Sequence, residues 1–177
     1  MAKEATLKYT DERDRCYGLT GMAMSMVVMN GEDLLAAIDM DSPADEMMKF
    51  TPQYYFAGNP RLSARLAWNQ IVEHYQLTMG MLVANVLSRY YVHRREEITP
   101  ELLKLVHQYI VDEGAETCQL DEDEINSLFN KHFSYMQRLF RHQGVQAVVN
   151  DFARELLKRR QMSVSEVLEE FRPLSML

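Results

Sequence analysis

Two hydrophobic periods alternate along this chain, and most of it follows the helical one. From residue 59 onward apolar residues recur every three or four positions, the spacing of a single helix face. Ala64, Ala67, Trp68, Ile71, Val72 and Tyr75 form the first such stripe. Asn59-Pro60 precedes it, offering a cap and then a proline at the first helical position, where the missing N–H costs nothing. Thr99-Pro100 repeats that signal ahead of Leu102, Leu105, Val106, Tyr109 and Ile110, with Gly114 as the expected stop. Asp121 and Glu124 make a capping box before a stripe running from Ile125 through Phe129, His132 and Met136 to Phe140, expected to close at Gly144. Val145, Val148, Val149, Phe152 and Leu156 give the next helix. Ser163 with Glu166 opens a short last one, ended by Pro173.

Residues 19–39 satisfy both periods. Met22, Met24, Met26 and Val28 alternate before Asn30-Gly31, the mark of a β-hairpin. Leu19, Met22, Ala23, Met26 and Val27 also share a helix face, and Met and Ala favour helix. An isolated hairpin is marginal in an otherwise helical chain, so helix–turn–helix is the preferred reading and the hairpin its alternative. Residues 40–60, with Pro43, Pro52 and Gly58, read as a long connection carrying one short helical turn.

The run "LTMGMLVANVLSRYYVHRR", residues 77–95, is too short and too polar for a membrane span, which needs about 20 apolar residues. At helical spacing Thr78, Asn85, Arg89 and Glu96 occupy one narrow stripe, and nearly every other direction is apolar. Such a helix belongs inside a bundle. The expectation is therefore an all-α fold of seven or eight helices around a central helix near 78–95. It would form one domain over 17–177, preceded by a flexible segment 1–16.

Composition agrees with a globular chain: 47% apolar, 25% charged, and few Gly or Pro in 177 residues. Thirteen Met suggest an adaptable core or a contact surface that can repack. Cys16 and Cys118 fit neither a disulfide framework nor a zinc site, and the balanced charges of residues 1–16 do not make a secretory signal. A cytoplasmic protein with no membrane segment is expected. The net charge of −7 is unevenly spread: residues 61–95 sum to +4, 96–124 to −9 and 125–162 to +5.

Signatures of catalysis do not emerge. No nucleophile elbow, phosphate-cradling Gly loop or dinucleotide fingerprint occurs, and the five His make no metal-binding pair. "LDEDE" fails the register of a calcium loop and reads as a helix start; His132 reads as a hydrogen-bonded core residue. A DNA-recognition helix at 79–95 would have to read bases with Met79, Gly80, Met81, Leu82 and Val83, which cannot do so. No cofactor or metal is expected.

Three candidate sites remain. An interface would use the aromatics Tyr54, Tyr55 and Phe56 with the tail residues Leu174, Met176 and Leu177. A composite basic face would use Arg61, Arg65, Arg94, Arg95, Arg138, Arg141, Lys158 and Arg159 against nucleic acid, although a pI near 5.2 opposes a polyanion. A cryptic enzyme or ligand binder would use a polar pocket near His74, Asn85, Arg89 and His93. The favoured expectation is a non-enzymatic protein–protein interaction or assembly module, a homodimer with an unknown partner.

Overall fold

The computed structural model describes residues 6–55 and 64–177. Helix α1 (Glu12–Val28) packs along α3 (Ala64–Leu87) more extensively than any other two described elements pack together. Two glycines permit this. A Cβ at Gly21 would stand 2.3 Å from the Ala84 carbonyl oxygen, and one at Gly18 would stand 2.7 Å from Asn85 Nδ2. The helices thus meet backbone to backbone. Asp11 starts α1 by accepting a hydrogen bond from the Asp14 N–H at 2.8 Å. Residues 12–16, which the sequence places in a flexible segment, are helical here, and Asp14 and Cys16 are fully buried.

The run at 77–95 is a core strut, as its pattern predicts: Leu77, Met79, Met81, Val83, Ala84, Val86 and Leu87 are all buried. It continues α3 without a break and then widens into a π-helix, Ser88–Arg94, which Arg95 ends in the left-handed conformation (φ 57°). The first stripe of α3 is less fully used, since Trp68 remains 42% exposed. The Asn59-Pro60 start signal lies outside the described residues.

Residues 19–39 split between the two readings. Helix persists to Val28, so the hairpin is excluded. Asn30-Gly31 serves instead as a helix stop: Asn30 is left-handed (φ 56°), its N–H donates to Val27 O, and the Gly31 N–H donates to Met26 O at 2.7 Å. The expected second helix is not formed. A 3₁₀ turn (Glu32–Leu34) leads into strand β1 (Leu35–Asp39), which pairs antiparallel with β2 (Met48–Phe50) and β3 (Gln161–Ser163). Ile38 faces Met48 on one side and Met162 on the other. Helix α2 (Pro52–Tyr55) follows β2.

Both capping boxes form, at Asp121/Glu124 opening α5 (Glu122–Arg141) and at Ser163/Glu166 opening α7 (Val164–Phe171). Thr99 and Pro100 open α4 (Pro100–Cys118) as expected. Gly114, however, does not end α4. It lies within the helix, which ends at left-handed Gln119, and its missing side chain makes room for the Tyr75 hydroxyl, which donates to Ile110 O at 2.6 Å and approaches to 2.5 Å of where a Cβ would be. Gly144 likewise lies inside α6 (Gln143–Arg159), and the break falls at His142. A 3₁₀ turn, Arg172–Met176, follows α7. The fold is a mostly α bundle of seven α-helices among the described residues, with one small sheet. Among the described residues nine methionines are buried in it.

Candidate functional site

Two places concentrate polar or recessed features, and they lie toward opposite ends of α1. At the first, Arg89 of the π-helix, 1% exposed, meets Asp14, which is fully buried. Arg89 Nε and Nη2 donate to Asp14 Oδ2 at 3.1 and 2.8 Å. Its other N–H groups donate to the carbonyls of Leu7 (3.1 Å) and Lys8 (2.9 Å) and to Asn85 Oδ1 (3.4 Å). All five guanidinium donors are thereby engaged. Arg94 Nη2 donates to the other oxygen of Asp14 at 2.9 Å, and the Thr10 N–H adds a further bond at 3.0 Å. Burial alone would raise the Asp14 carboxyl, but the hydrogen bonds and charge of Arg89, with Thr10 and Arg94, outweigh it and hold it at about 2. Asn85 Nδ2 donates to the Tyr9 hydroxyl at 2.8 Å, and the Arg89 guanidinium lies 4.8 Å from the Tyr9 ring centre.

The expected polar pocket is thus partly assembled. Asn85 and Arg89 come together, and His93 stacks nearby on Tyr17 with ring centres 4.7 Å apart. Burial lowers the His93 pKa. His74 is elsewhere, against Tyr54 at 4.5 Å, its pKa also lowered by burial. This cluster binds the chain to itself and leaves no guanidinium N–H for a ligand. His132 is the core histidine expected, with Nε2 3.1 Å from Gln76 Oε1. Among the described residues no group of His, Cys, Asp or Glu is placed to hold a metal ion, and no helix is long and apolar enough to cross a membrane.

Several members of the expected basic face meet carboxylates of their own chain. Arg94 pairs with Asp14, Arg141 with Glu97 at 2.8 Å, Lys158 with Glu155 at 4.0 Å, and Arg159 with Glu155, Glu166 and Glu170. Arg65, Arg95 and Arg138 are exposed, and Arg61 lies outside the described residues. Of the expected interface, Tyr54 is half-buried and stacks on Phe50 at 3.9 Å, while Tyr55 is 69% exposed and Phe56 lies outside the described residues. Met176 is 78% and Leu177 60% exposed, and Leu174 is half-buried.

The second place is an open groove of about 390 Å³ between α1, α5, α6 and the tail. Met24 and Val28 of α1, Leu139 of α5, Val145 of α6, and Leu174 and Leu177 give it an apolar lining. Among the described residues, Tyr135, Arg138 and His142 supply its only polar side chains, and no acidic side chain lines it. Leu177 packs against α6 beside the groove, its Cδ2 lying 2.7 Å from where a Gly144 Cβ would be. Sequence reasoning placed Leu174 and Leu177 in an interface and Arg138 on a basic face, but did not join them. The available signal was the spacing Lys131, Tyr135, Arg138, His142 on one side of α5, which the search for apolar stripes passes over.

No family model, curated protein or solved structure matches this chain.

Proposed function

We propose that this protein is a non-enzymatic helical interaction module, and that the groove between α1, α5, α6 and the tail is where it holds another protein. One observation carries this reading: the groove is lined by aliphatic and Met side chains with its polar groups confined to Tyr135, Arg138 and His142. An apolar centre with a polar margin is the anatomy of a recognition surface, and Tyr and Arg are the residues that most often anchor one. Met24 in its lining can adapt its shape to an incoming side chain. The polar cluster around Arg89 supports the same reading by default, because its donors are already taken.

Photo-crosslinking in cell extract tests the proposal. A benzoylphenylalanine at Tyr135, 37% exposed on the groove margin, should give discrete protein adducts that the same group at Glu116 does not give. Adducts that are absent, or identical at both positions, refute it.

A second reading, self-association as a homodimer, rests on a separate observation. Tyr55 projects 69% exposed from the stacked Phe50–Tyr54 pair, and Met176 is 78% exposed. Light scattering at micromolar concentration should then give twice the chain mass, and Tyr55→Asp should shift it toward monomer without unfolding. A monomer for the unmodified chain refutes that reading. Nucleic-acid binding has less support, since Arg94, Arg141 and Arg159 already face internal carboxylates.

A further inference from the structure

Lys131, Tyr135, Arg138 and His142 recur at intervals of four, three and four, which places them on one face of α5. All four are exposed, and the last three form the margin of the apolar groove. Among the described residues neither Lys131 nor Arg138 has a carboxylate partner, whereas Arg141, one position from His142, is paired with Glu97. One unneutralised cation, Arg138, therefore borders an apolar cleft and a second, Lys131, lies beyond it on the same helix face, in a chain whose net charge is −7.

We propose that the groove binds an acidic amphipathic helix of a partner protein. This rests on the interaction-module reading and adds the partner's chemistry. The apolar residues of such a helix, spaced i, i+3 or i+4, would descend onto Val28, Leu139 and Val145, the mode in which helices dock in hydrophobic grooves. Its flanking Asp or Glu side chains would meet Arg138 at the margin and Lys131 beyond it on the same face of α5, where charge complementarity sets orientation and excludes basic competitors. A second copy of this chain, docked groove to groove about a two-fold axis, would bring one basic strip against the other, which like charges oppose. A nucleic acid would satisfy the strip but leave the apolar lining without a partner.

Fluorescence anisotropy on the full chain decides the matter with three labelled peptides of about 16 residues, long enough for four helical turns. One carries leucines along one face flanked by glutamates, the second replaces the glutamates by lysines, and the third replaces the leucines by serines. The first should bind about tenfold or more tighter than either other at about 50 mM salt, where surface charges are only partly screened. Arg138→Glu, at an exposed position without an ion pair, should weaken the glutamate peptide and strengthen the lysine one. Equal affinity for the glutamate and lysine peptides overturns the proposal. So does binding of the serine peptide as tight as the first, or displacement by short duplex DNA as effective as by unlabelled peptide. Failure of every peptide to bind also overturns the acidic-helix assignment, whereas the Tyr135 cross-link independently decides the interaction reading.

Discussion

Removing the carboxylate of Asp14 tests the centre of the fold. In Asp14→Ala the Arg89 guanidinium, 1% exposed, keeps its bonds to the neutral oxygens of Leu7, Lys8 and Asn85 but loses its counter-charge. Breaking a buried pair from one side costs about 3–5 kcal/mol, a large share of an ordinary domain stability of about 5–15 kcal/mol. Arg94 should add little to this, because its side chain is 20% exposed and can turn to water. Replacing both partners, Asp14→Ala with Arg89→Met, removes the stranded charge together with its partner. The double variant should therefore be more stable than Asp14→Ala alone, with a coupling of about 2 kcal/mol or more. Urea unfolding followed by far-ultraviolet circular dichroism measures all four corners, provided the denaturant slope stays constant. A loss below about 1 kcal/mol for Asp14→Ala, or a cycle additive to within about 0.5 kcal/mol, would refute the argument.

Leu87→Ala, at a fully buried position, should cost about 2–5 kcal/mol in the same melts. Arg94→Ala, which the sequence places at a solvated helix end, should cost about 1–2 kcal/mol because it donates to the buried Asp14 carboxylate; no measurable loss would contradict that bond. Gly21→Ala must push α1 off the Ala84 carbonyl and should cost about 1–3 kcal/mol or more, and a neutral result would place the crossing elsewhere. Asp14 is held at about 2, below its ordinary 3.8, so its contribution is complete above about pH 4 and is lost as pH falls toward 2. Asp14→Asn should remove that part of the acid slope in urea midpoints taken across pH, and an unchanged slope would refute the assignment.

Much of the helical frame is legible because its signals are local. Thr99-Pro100, Asp121/Glu124 and Ser163/Glu166 each satisfy their own helix start and need nothing from elsewhere. What escapes is whatever depends on distant chain. Strand β1 pairs on one side with β3, far along the sequence at Met162, and Leu35–Asp39 alone carries no alternation that distinguishes it from helix. Gly114 reads as a stop signal but answers to Tyr75 on another helix. The π-helix has no sequence mark either, yet it is the element that turns Arg89 and Arg94 onto Asp14 and His93 onto Tyr17. Asp14 itself lies among balanced surface-like charges and reads as one of them. The groove escapes for the same reason, since its lining comes from residues 24–28, 135–145 and the tail.

A buried ion pair is weak evidence for stability, because two well-packed apolar side chains often serve as well. Its better-attested use is to fix register, and the position of Asp14 gives that idea a consequence here. Asp14 locks the first turn of α1 onto the π-helix, and Met24 and Val28, further along the same helix, line the groove. A sliding α1 would carry the groove lining with it. Cys16 reports on such motion: it is fully buried, its thiol donates to Ala153 O at 3.3 Å, and burial pushes its pKa up to about 12. In the native chain it should resist thiol reagents, since the reactive form is the thiolate. We predict that the double variant Asp14→Ala/Arg89→Met, though restored in stability, labels at Cys16 about tenfold or more faster under native conditions, as local opening without global unfolding requires. Peptide mass spectrometry separates Cys16 from Cys118, which is also buried and serves as the internal reference. Equal protection of Cys16 in the double variant and the native chain would mean that the glycine crossing alone sets the register, and that the ion pair does not position the groove.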